Sequence, residues 1–232
     1  MIRSRTAQLI YQAFSLGIAF IGVVASFGFF ERVFRWDFYI HFTNLSNYLC
    51  IAFLTAELVQ TAKKKEDSFV TVAPLLKFIF MLGILLTFLV YNLLLAKDAA
   101  ANDPVANFKI GCVTFHVLVP VLFTADWLLF YERKRVRWTY PLLSALMPLI
   151  YVVFVFLHAM LRHFDASIPN WTNTGPFIYP YFFLDPAKQG AQGIALWCLL
   201  LLALFVVMGF LLMGLDHLLS SGGRQQGLGN RQ

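Results

Sequence analysis

The sequence predicts an all-α integral membrane protein that crosses the bilayer six times. Of its 232 residues, 59% are hydrophobic and only 13% are charged, whereas soluble domains average about 45–50% apolar and about 25% charged residues. The mean hydropathy is +0.71. A spanning helix takes about 20 apolar residues, so a chain of this length holds about six or seven of them. These values exclude a soluble nucleic-acid-binding module, a disulfide scaffold and a disordered chain.

Six apolar segments follow one another along the chain, and we predict one transmembrane helix for each. They cover approximately residues 9–30, 42–61, 74–95, 108–131, 140–161 and 194–215. The first follows basic residues, as in a signal peptide, but it is longer than the roughly 7–15 apolar residues of a signal-peptide core. We predict one six-helix domain, residues 1–219. Residues 220–232, rich in Gly, Gln and Ser, are predicted to form a disordered cytoplasmic tail.

The distribution of Lys and Arg predicts that both termini are cytoplasmic. Basic residues are concentrated at the N-terminus, in the second and fourth connections and in the tail. That side carries Arg3, Arg5, Lys63, Lys64, Lys65, Arg133, Lys134, Arg135, Arg137, Arg224 and Arg231, against Arg32, Arg35, Lys97, Lys109, Arg162 and Lys188 on the other. The positive-inside rule assigns the richer side to the cytoplasm. An even number of spans agrees with this orientation.

Polar side chains within the apolar segments are candidates for function, because such groups are costly in a bilayer. They are Thr43, Asn44 and Asn47 in the second segment, Tyr91 and Asn92 in the third, His116 in the fourth and His158 in the fifth. With a helical rise of 1.5 Å per residue, one residue from each segment lies about 22–31 Å above the basic inner end of its helix. These residues are Thr43, Asn92, His116 and His158. We therefore expect one shared cavity in the outer leaflet.

These residue types are suited to acyl chemistry. A threonine hydroxyl becomes a nucleophile when a base removes its proton, and either His116 or His158 is a candidate base for Thr43. The amides of Asn44, Asn47 or Asn92 are candidate hydrogen-bond donors to a developing oxyanion. In the outer leaflet such a set would meet lipid-like esters, so the pattern favours ester hydrolysis or acyl transfer.

The last outer connection, residues 162–192, is rich in proline and aromatic residues. Trp and Tyr prefer the membrane interface, and we expect this loop either to cover the cavity or to serve as a structural turn. Tyr179, Tyr181 and Asp185 within it are predicted to contact substrate, together with Tyr91 and His158.

Other polar or reactive residues suggest structural roles. Glu57, Asp126 and Asp216 lie towards the cytoplasmic ends of their segments, where pairing with Lys77 or the basic residues at 133–137 is expected. Cys50, Cys112 and Cys198 lie in apolar segments and are interpreted as small apolar side chains. No metal or cofactor is predicted, and neither is a nucleic-acid partner.

Four short motifs occur in a characteristic order along the chain. They are Phe42-Thr43-Asn44-Leu45-Ser46-Asn47, His116 with Pro120, Asp126-Trp127, and Tyr179-Pro180-Tyr181-Phe182-Phe183-Leu184-Asp185-Pro186. In these motifs and in its six-helix plan the chain resembles the Pr6Pr family of bacterial membrane proteins. That family is distantly similar to the androgen-induced and androgen-dependent membrane hydrolases of animals, which cleave fatty acid esters of hydroxy fatty acids.

The resemblance implies a threonine hydrolase of the bacterial inner (plasma) membrane. Carried over residue by residue, the nucleophile of the animal enzymes falls on Thr43 and their histidine on His116. In those enzymes the histidine stands one residue further from its proline than His116 does from Pro120. The implied partners are the lipid bilayer and a lipid-like substrate.

Two other functions fit the same residues. A non-catalytic carrier or lipid-binding protein would use the same cavity, although a carrier usually shows repeats or broken helices around a midplane site. In a structural subunit the polar residues would only join helices through hydrogen bonds. The sequence leaves the oligomeric state open.

Overall fold

Six helices long and apolar enough to cross a membrane make up the protein, which confirms the all-α prediction. The structure is a computed structural model that describes the chain except for residues 1, 3, 65–69, 133–135, 165–177 and 230–232, and the side chains of residues 163–164 and 221–229. The helices are α1 Arg5–Ser26, α2 Phe42–Lys63, α3 Pro74–Asn102, α4 Ile110–Phe130, α5 Thr139–Arg162 and α6 Pro186–Ser220. Helical residues make up 83% of the structure, and no strand occurs in the described part of the chain.

The helix ends follow from local residue chemistry. Ser4 caps α1 by accepting a hydrogen bond from the amide of Ala7, and Pro74 begins α3, where its missing N–H has no intrahelical partner. Gly28 ends the first span with φ +82°, and a Cβ at this position would collide with the carbonyl oxygen of Val33. Gly190 breaks the helical φ/ψ pattern near the start of α6, with φ 61° and ψ 175°.

The helical backbone of the last span continues to Gly229. It therefore extends through most of residues 220–232, the segment for which composition predicts disorder. Residues 165–177, in the middle of the outer connection predicted to cover the cavity, lie outside the described residues.

The first four helices pack around one another, and the last two lie against them. Helix α1 contacts α2 and α4, while α3 contacts both α2 and α4. Helix α5 packs on α3 and α6, and residues 182–184 pack on α6. Arg5 donates hydrogen bonds to the carbonyls of Thr61 and Ala62, and the amide of Ile2 donates to Leu129. The N-terminus therefore lies at the same end of the bundle as the ends of α2 and α4.

A buried ionic cluster joins the four central helices near that end. Lys77 Nζ lies 2.7 Å from Glu57 Oε2 and 2.5 Å from Asp126 Oδ2. Gln12 Nε2 donates to the same two carboxylates, at 3.3 and 3.2 Å. All four side chains are fully buried. The predicted pairing of Glu57 and Asp126 with Lys77 is confirmed, and Gln12 adds the contact from α1 that the sequence analysis did not anticipate.

Two π-helical turns interrupt the spans at the other end. They are Tyr91–Leu95 in α3 and Thr114–Leu118 in α4. A π-turn adds a residue to the helical repeat and often marks a functional site. The two turns are in contact, because Asn92 Nδ2 donates to the carbonyl oxygen of His116 at 3.3 Å. Three predicted site residues, Tyr91, Asn92 and His116, thus share an irregular region.

Candidate functional site

A cavity opens among α2, α3, α5, α6 and the segment that precedes α6. It contains about 750 Å³ of empty space, including the part that is open to the surroundings. Most of its walls are leucine, valine, phenylalanine and proline side chains. The hydroxyl-bearing residues among them are Thr43, Thr87, Tyr91, Tyr151 and Tyr181. The site therefore combines an apolar interior with a small set of neutral polar groups, as is usual for small-molecule sites.

Thr43 lies in the first turn of α2, where its backbone is held on both sides. Its carbonyl accepts hydrogen bonds from Ser46 Oγ at 3.0 Å and from Asn47 Nδ2 at 2.8 Å. Its amide donates to the hydroxyl of Tyr181 at 3.4 Å. The residue is 9% exposed and lines the cavity. The rigid backbone fixes the position of the Thr43 hydroxyl at the cavity wall.

Two tyrosine hydroxyls cap the amino end of α2. The first N–H groups of a helix have no intrahelical acceptor. Here the amide of Phe42 donates to Tyr151 at 3.2 Å and that of Thr43 to Tyr181. Tyr151 donates in turn to the carbonyl oxygen of Ile40 at 2.9 Å. Tyr151 was not among the site residues predicted from the sequence. Its position inside a span was the one feature that pointed to it, because a buried tyrosine hydroxyl needs a hydrogen-bond partner.

Burial raises the pKa of the Tyr181 hydroxyl, which lies outside the spans, and hydrogen bonding with the side chain of Thr43 opposes this rise. The Tyr181 ring is held by stacking on Phe183, with centroids 5.0 Å apart and planes 4° apart. Tyr181 is therefore a fixed, neutral hydroxyl next to that of Thr43. Tyr181 lines the cavity, and its contact with substrate stays a prediction.

His116 is oriented by its neighbours in the π-helical region. Its Nδ1 lies 3.1 Å from the carbonyl oxygen of Cys112. A carbonyl only accepts, so Nδ1 carries the hydrogen and the neutral ring keeps its lone pair on Nε2. The ring stacks on Tyr91, whose hydroxyl donates to Asn107 Oδ1 at 2.7 Å and accepts from Cys112 Sγ at 3.0 Å. His116 thus has the tautomer that a general base requires.

The predicted nucleophile lines the cavity and the predicted base does not. Tyr91 lines the cavity together with Thr43, whereas His116 does not belong to the cavity wall. In the described structure the hydrogen bonds of Thr43 and His116 run to other groups, Tyr181 and Cys112. Asn47 joins Thr43 to Phe115, the residue before His116, because its amide donates to the carbonyl oxygens of both, at 2.8 and 3.1 Å.

The three asparagine amides predicted near the site bind backbone carbonyls. Asn47 and Asn92 each donate two hydrogen bonds, and Asn92 contacts Phe88 and His116. Asn44 donates to the carbonyl oxygen of Phe38 at 2.9 Å. An amide nitrogen has two hydrogens, so Asn47 and Asn92 would have to break an existing bond to serve an oxyanion.

The remaining predicted site residues lie apart from the cavity wall. His158 Nε2 is 2.9 Å from the hydroxyl of Tyr39, which also accepts from Arg162. The ring of Tyr179 contacts that of Phe156 at 6.1 Å. Asp185 Oδ1 accepts from the amide of Ala187 at 3.0 Å, which caps the start of α6.

No protein-family model, curated protein or solved structure matches this chain. The resemblance to the Pr6Pr family therefore stays a prediction that rests on the four motifs. Within the described ranges, no three His, Cys, Asp or Glu side chains are grouped so that they could hold a metal ion.

Proposed function

We propose that this protein is an integral-membrane hydrolase or acyltransferase that acts on lipid-like esters through Thr43. One observation carries the proposal: the Thr43 hydroxyl stands at the wall of an otherwise largely apolar cavity, next to the hydroxyl of Tyr181. An ester whose acyl chain lay among the cavity leucines would present its carbonyl group to these two hydroxyls. The bound chain would exclude water from the reacting atoms.

In the proposed reaction, Thr43 Oγ1 attacks the ester carbonyl carbon while His116 Nε2 accepts the threonine proton. The bond to the leaving alcohol breaks, and the alcohol oxygen takes that proton from His116. The acyl group remains on Thr43 until water, or a second alcohol, attacks the acyl carbon and Thr43 regains a proton. Tyr181 would donate a hydrogen bond to the oxyanion.

Proton transfer in this scheme requires a side-chain movement. Tyr91 stacks on His116, with ring centroids 3.6 Å apart, and also lines the cavity. The Tyr91 side chain would therefore rotate aside when substrate binds, which would bring the imidazole into reach of Thr43. Catalytic hydrogen bonds are often long or absent before substrate binds, so this requirement is compatible with the proposal.

A lipid-binding protein without catalysis is the second candidate. It is favoured by the separation of the two catalytic candidates, since Thr43 bonds to Tyr181 while His116 bonds to Cys112. In that case the hydroxyls around Thr43 would only hold the polar head of a bound lipid.

A fluorophosphonate probe, which reacts with activated hydroxyls, separates the two candidates. We expect the purified wild type to be labelled, Thr43→Val to lose labelling, and His116→Gln to slow it by about 100-fold or more. Thr87→Val is the matched control, because it removes a different hydroxyl from the same cavity with little change in volume. Unlabelled but folded wild type, or labelled Thr43→Val, would reject the hydrolase and favour the lipid-binding protein.

We also propose that the protein resides in a bacterial inner membrane with both termini in the cytoplasm. The support is the excess of Lys and Arg in the sequence of the N-terminus, the second and fourth connections and the tail. In a cysteine-free background, a membrane-impermeant maleimide should label Lys188→Cys in intact cells. It should label Lys64→Cys only after permeabilisation, and the reverse pattern would overturn the orientation.

A further inference from the structure

We infer that the cavity around Thr43 takes an uncharged single-chain lipid, an ester or an alcohol, and rejects the carboxylate anion of a free fatty acid. This inference rests on the proposed function only in assigning the cavity as the ligand site. It names the class of ligand from the chemistry of the walls, and it applies equally to a catalytic and to a purely lipid-binding protein.

The polar end of the cavity offers only neutral hydrogen-bonding groups. Its hydroxyls belong to threonine and tyrosine, and none of the described residues that line the cavity carries a formal charge. Hydroxyls satisfy an ester carbonyl or an alcohol well. A carboxylate placed among them would keep its full charge without a counter-ion in an apolar surrounding, which is strongly unfavourable.

No basic side chain belongs to the described cavity wall, and Lys97, two residues beyond the lining residue Leu95, is exposed. Arg162 follows Tyr151 by eleven residues on α5, about 16 Å along the helix axis, and it donates to Tyr39 and His158. The ring of His41 lies 6.0 Å from that of Tyr181, and burial lowers the pKa of His41, so it is neutral at pH 7. Lys188 is 64% exposed and 3.9 Å from Asp185.

Residues 165–177 of the outer connection add no cation to this balance. Residues 165–177 lie outside the described residues, but their sequence contains Asp165 and neither lysine nor arginine. Any contribution of this segment to the charge near the cavity would therefore be negative or zero. That sign disfavours an anionic ligand further.

The dimensions and position of the cavity indicate a single chain that enters from the bilayer. Its empty space of about 750 Å³ includes the part that is open to the surroundings and is therefore an upper bound, which limits the site to one small ligand. Leu149, in the wall formed by α5, is 45% exposed on a span that faces lipid. A neutral lipid can reach the cavity from the side, and an ionised acid formed from it would leave towards water.

Competitive binding of two ligands with the same chain tests the inference. The purified protein in nanodiscs is photolabelled with a diazirine analogue of hexadecanol, a non-hydrolysable probe, and labelling is competed with hexadecanol or hexadecanoate at pH 8. We expect hexadecanol to compete at a concentration at least tenfold lower. Equal competition by the two ligands would overturn the inference.

A cation placed in the wall provides a second, independent readout. Leu202→Lys puts an ammonium in the cavity lining and should shift the preference towards hexadecanoate by at least tenfold. Leu204→Lys, on the same helix and 38% exposed, does not line the cavity and should keep the preference of the wild type. If Leu202→Lys does not fold, the comparison on wild type still decides.

The outcomes of this test and of probe labelling at Thr43 are distinguishable. Selective binding of hexadecanol without fluorophosphonate labelling would support the inference and reject the hydrolase. Labelling at Thr43 with equal binding of hexadecanoate would support the hydrolase and overturn the inference.

Discussion

The ring of Tyr91 lies face to face with the imidazole of His116, with centroids 3.6 Å apart and planes inclined by 21°. Each residue belongs to a π-helical turn, one in α3 and one in α4. Tyr91 lines the cavity together with Thr43, whereas His116 does not belong to the cavity wall. The proposed chemistry requires the Tyr91 ring to move away from the His116 imidazole.

Removing the Tyr91 ring should expose His116. We expect Tyr91→Ala to increase the rate at which diethylpyrocarbonate modifies His116 several-fold, because the stacked ring no longer covers the imidazole. Mass spectrometry of the modified peptide measures the rate. Tyr91→Phe is the control: it keeps the ring, loses only the hydroxyl with its bonds to Asn107 and Cys112, and should react like the wild type. Equal rates in all three proteins would show that the Tyr91 ring does not shield the His116 imidazole from the reagent.

Loss of Lys77 should destabilise the bundle more than loss of any other member of its cluster. Lys77→Met leaves two buried carboxylates without their cation, and breaking a buried ion pair in this way costs about 3–5 kcal/mol of unfolding free energy. The triple variant Lys77→Met/Glu57→Gln/Asp126→Asn removes the uncompensated charge and should recover much of the loss.

Reversible unfolding in mixed detergent micelles measures these differences. Lys63→Met, at an exposed position at the end of α2, is the control and should remain within about 0.5 kcal/mol of the wild type. Wild-type stability in Lys77→Met would contradict the structural role of the cluster.

Two glycines of α1 should respond differently to the same substitution. A Cβ at Gly22 would lie 2.8 Å from Thr114 Cγ2 and still closer to the ring of Phe115, whereas nothing lies within 4 Å of a Cβ at Gly17. We expect Gly22→Ala to cost about 1–3 kcal/mol through overpacking. Gly17→Ala should be neutral or stabilise α1 by up to about 1 kcal/mol. Thermal unfolding of the two variants tests this, and equal effects would refute close packing of α1 on the π-turn of α4.

His41 should make stability fall as the solution is acidified. Burial lowers its pKa below the ordinary histidine value of 6.5, so between the lowered value and 6.5 the unfolded chain binds a proton that the folded protein does not. Stability then rises with pH across that window and is lost as the pH falls through it. We expect the melting temperature of His41→Gln to change less between about pH 7.5 and about pH 5 than that of the wild type. These limits bracket the ordinary histidine pKa of about 6.5.

The control for this pH dependence is His217→Gln, at an exposed position near the other end of the bundle. It should leave the slope of melting temperature against pH unchanged. A wild-type slope in His41→Gln would mean that other groups cause the acid sensitivity.

The number of spans and the inner ion pairs could be predicted from the sequence. Apolar runs of sufficient length determine spans locally, and counting residues from the basic ends places Glu57 and Asp126 near the level of Lys77. In the site, the same counting brought Thr43, Asn92, His116 and His158 to one level, but only Thr43 of these four lines the cavity. It could not give the rotation of each helix about its axis, because a π-turn alters the helical repeat that such counting assumes.

The composition of each segment decides which segments are long and apolar enough to span a membrane. Which polar groups meet depends on the tertiary structure. The amide of Phe42 is capped by Tyr151, 109 residues away, and that of Thr43 by Tyr181, 138 residues away. Such partners depend on how helices pack, and packing is set by the fit of many side chains at once. For that reason His116 lies behind Tyr91, whereas Tyr181 lies beside Thr43.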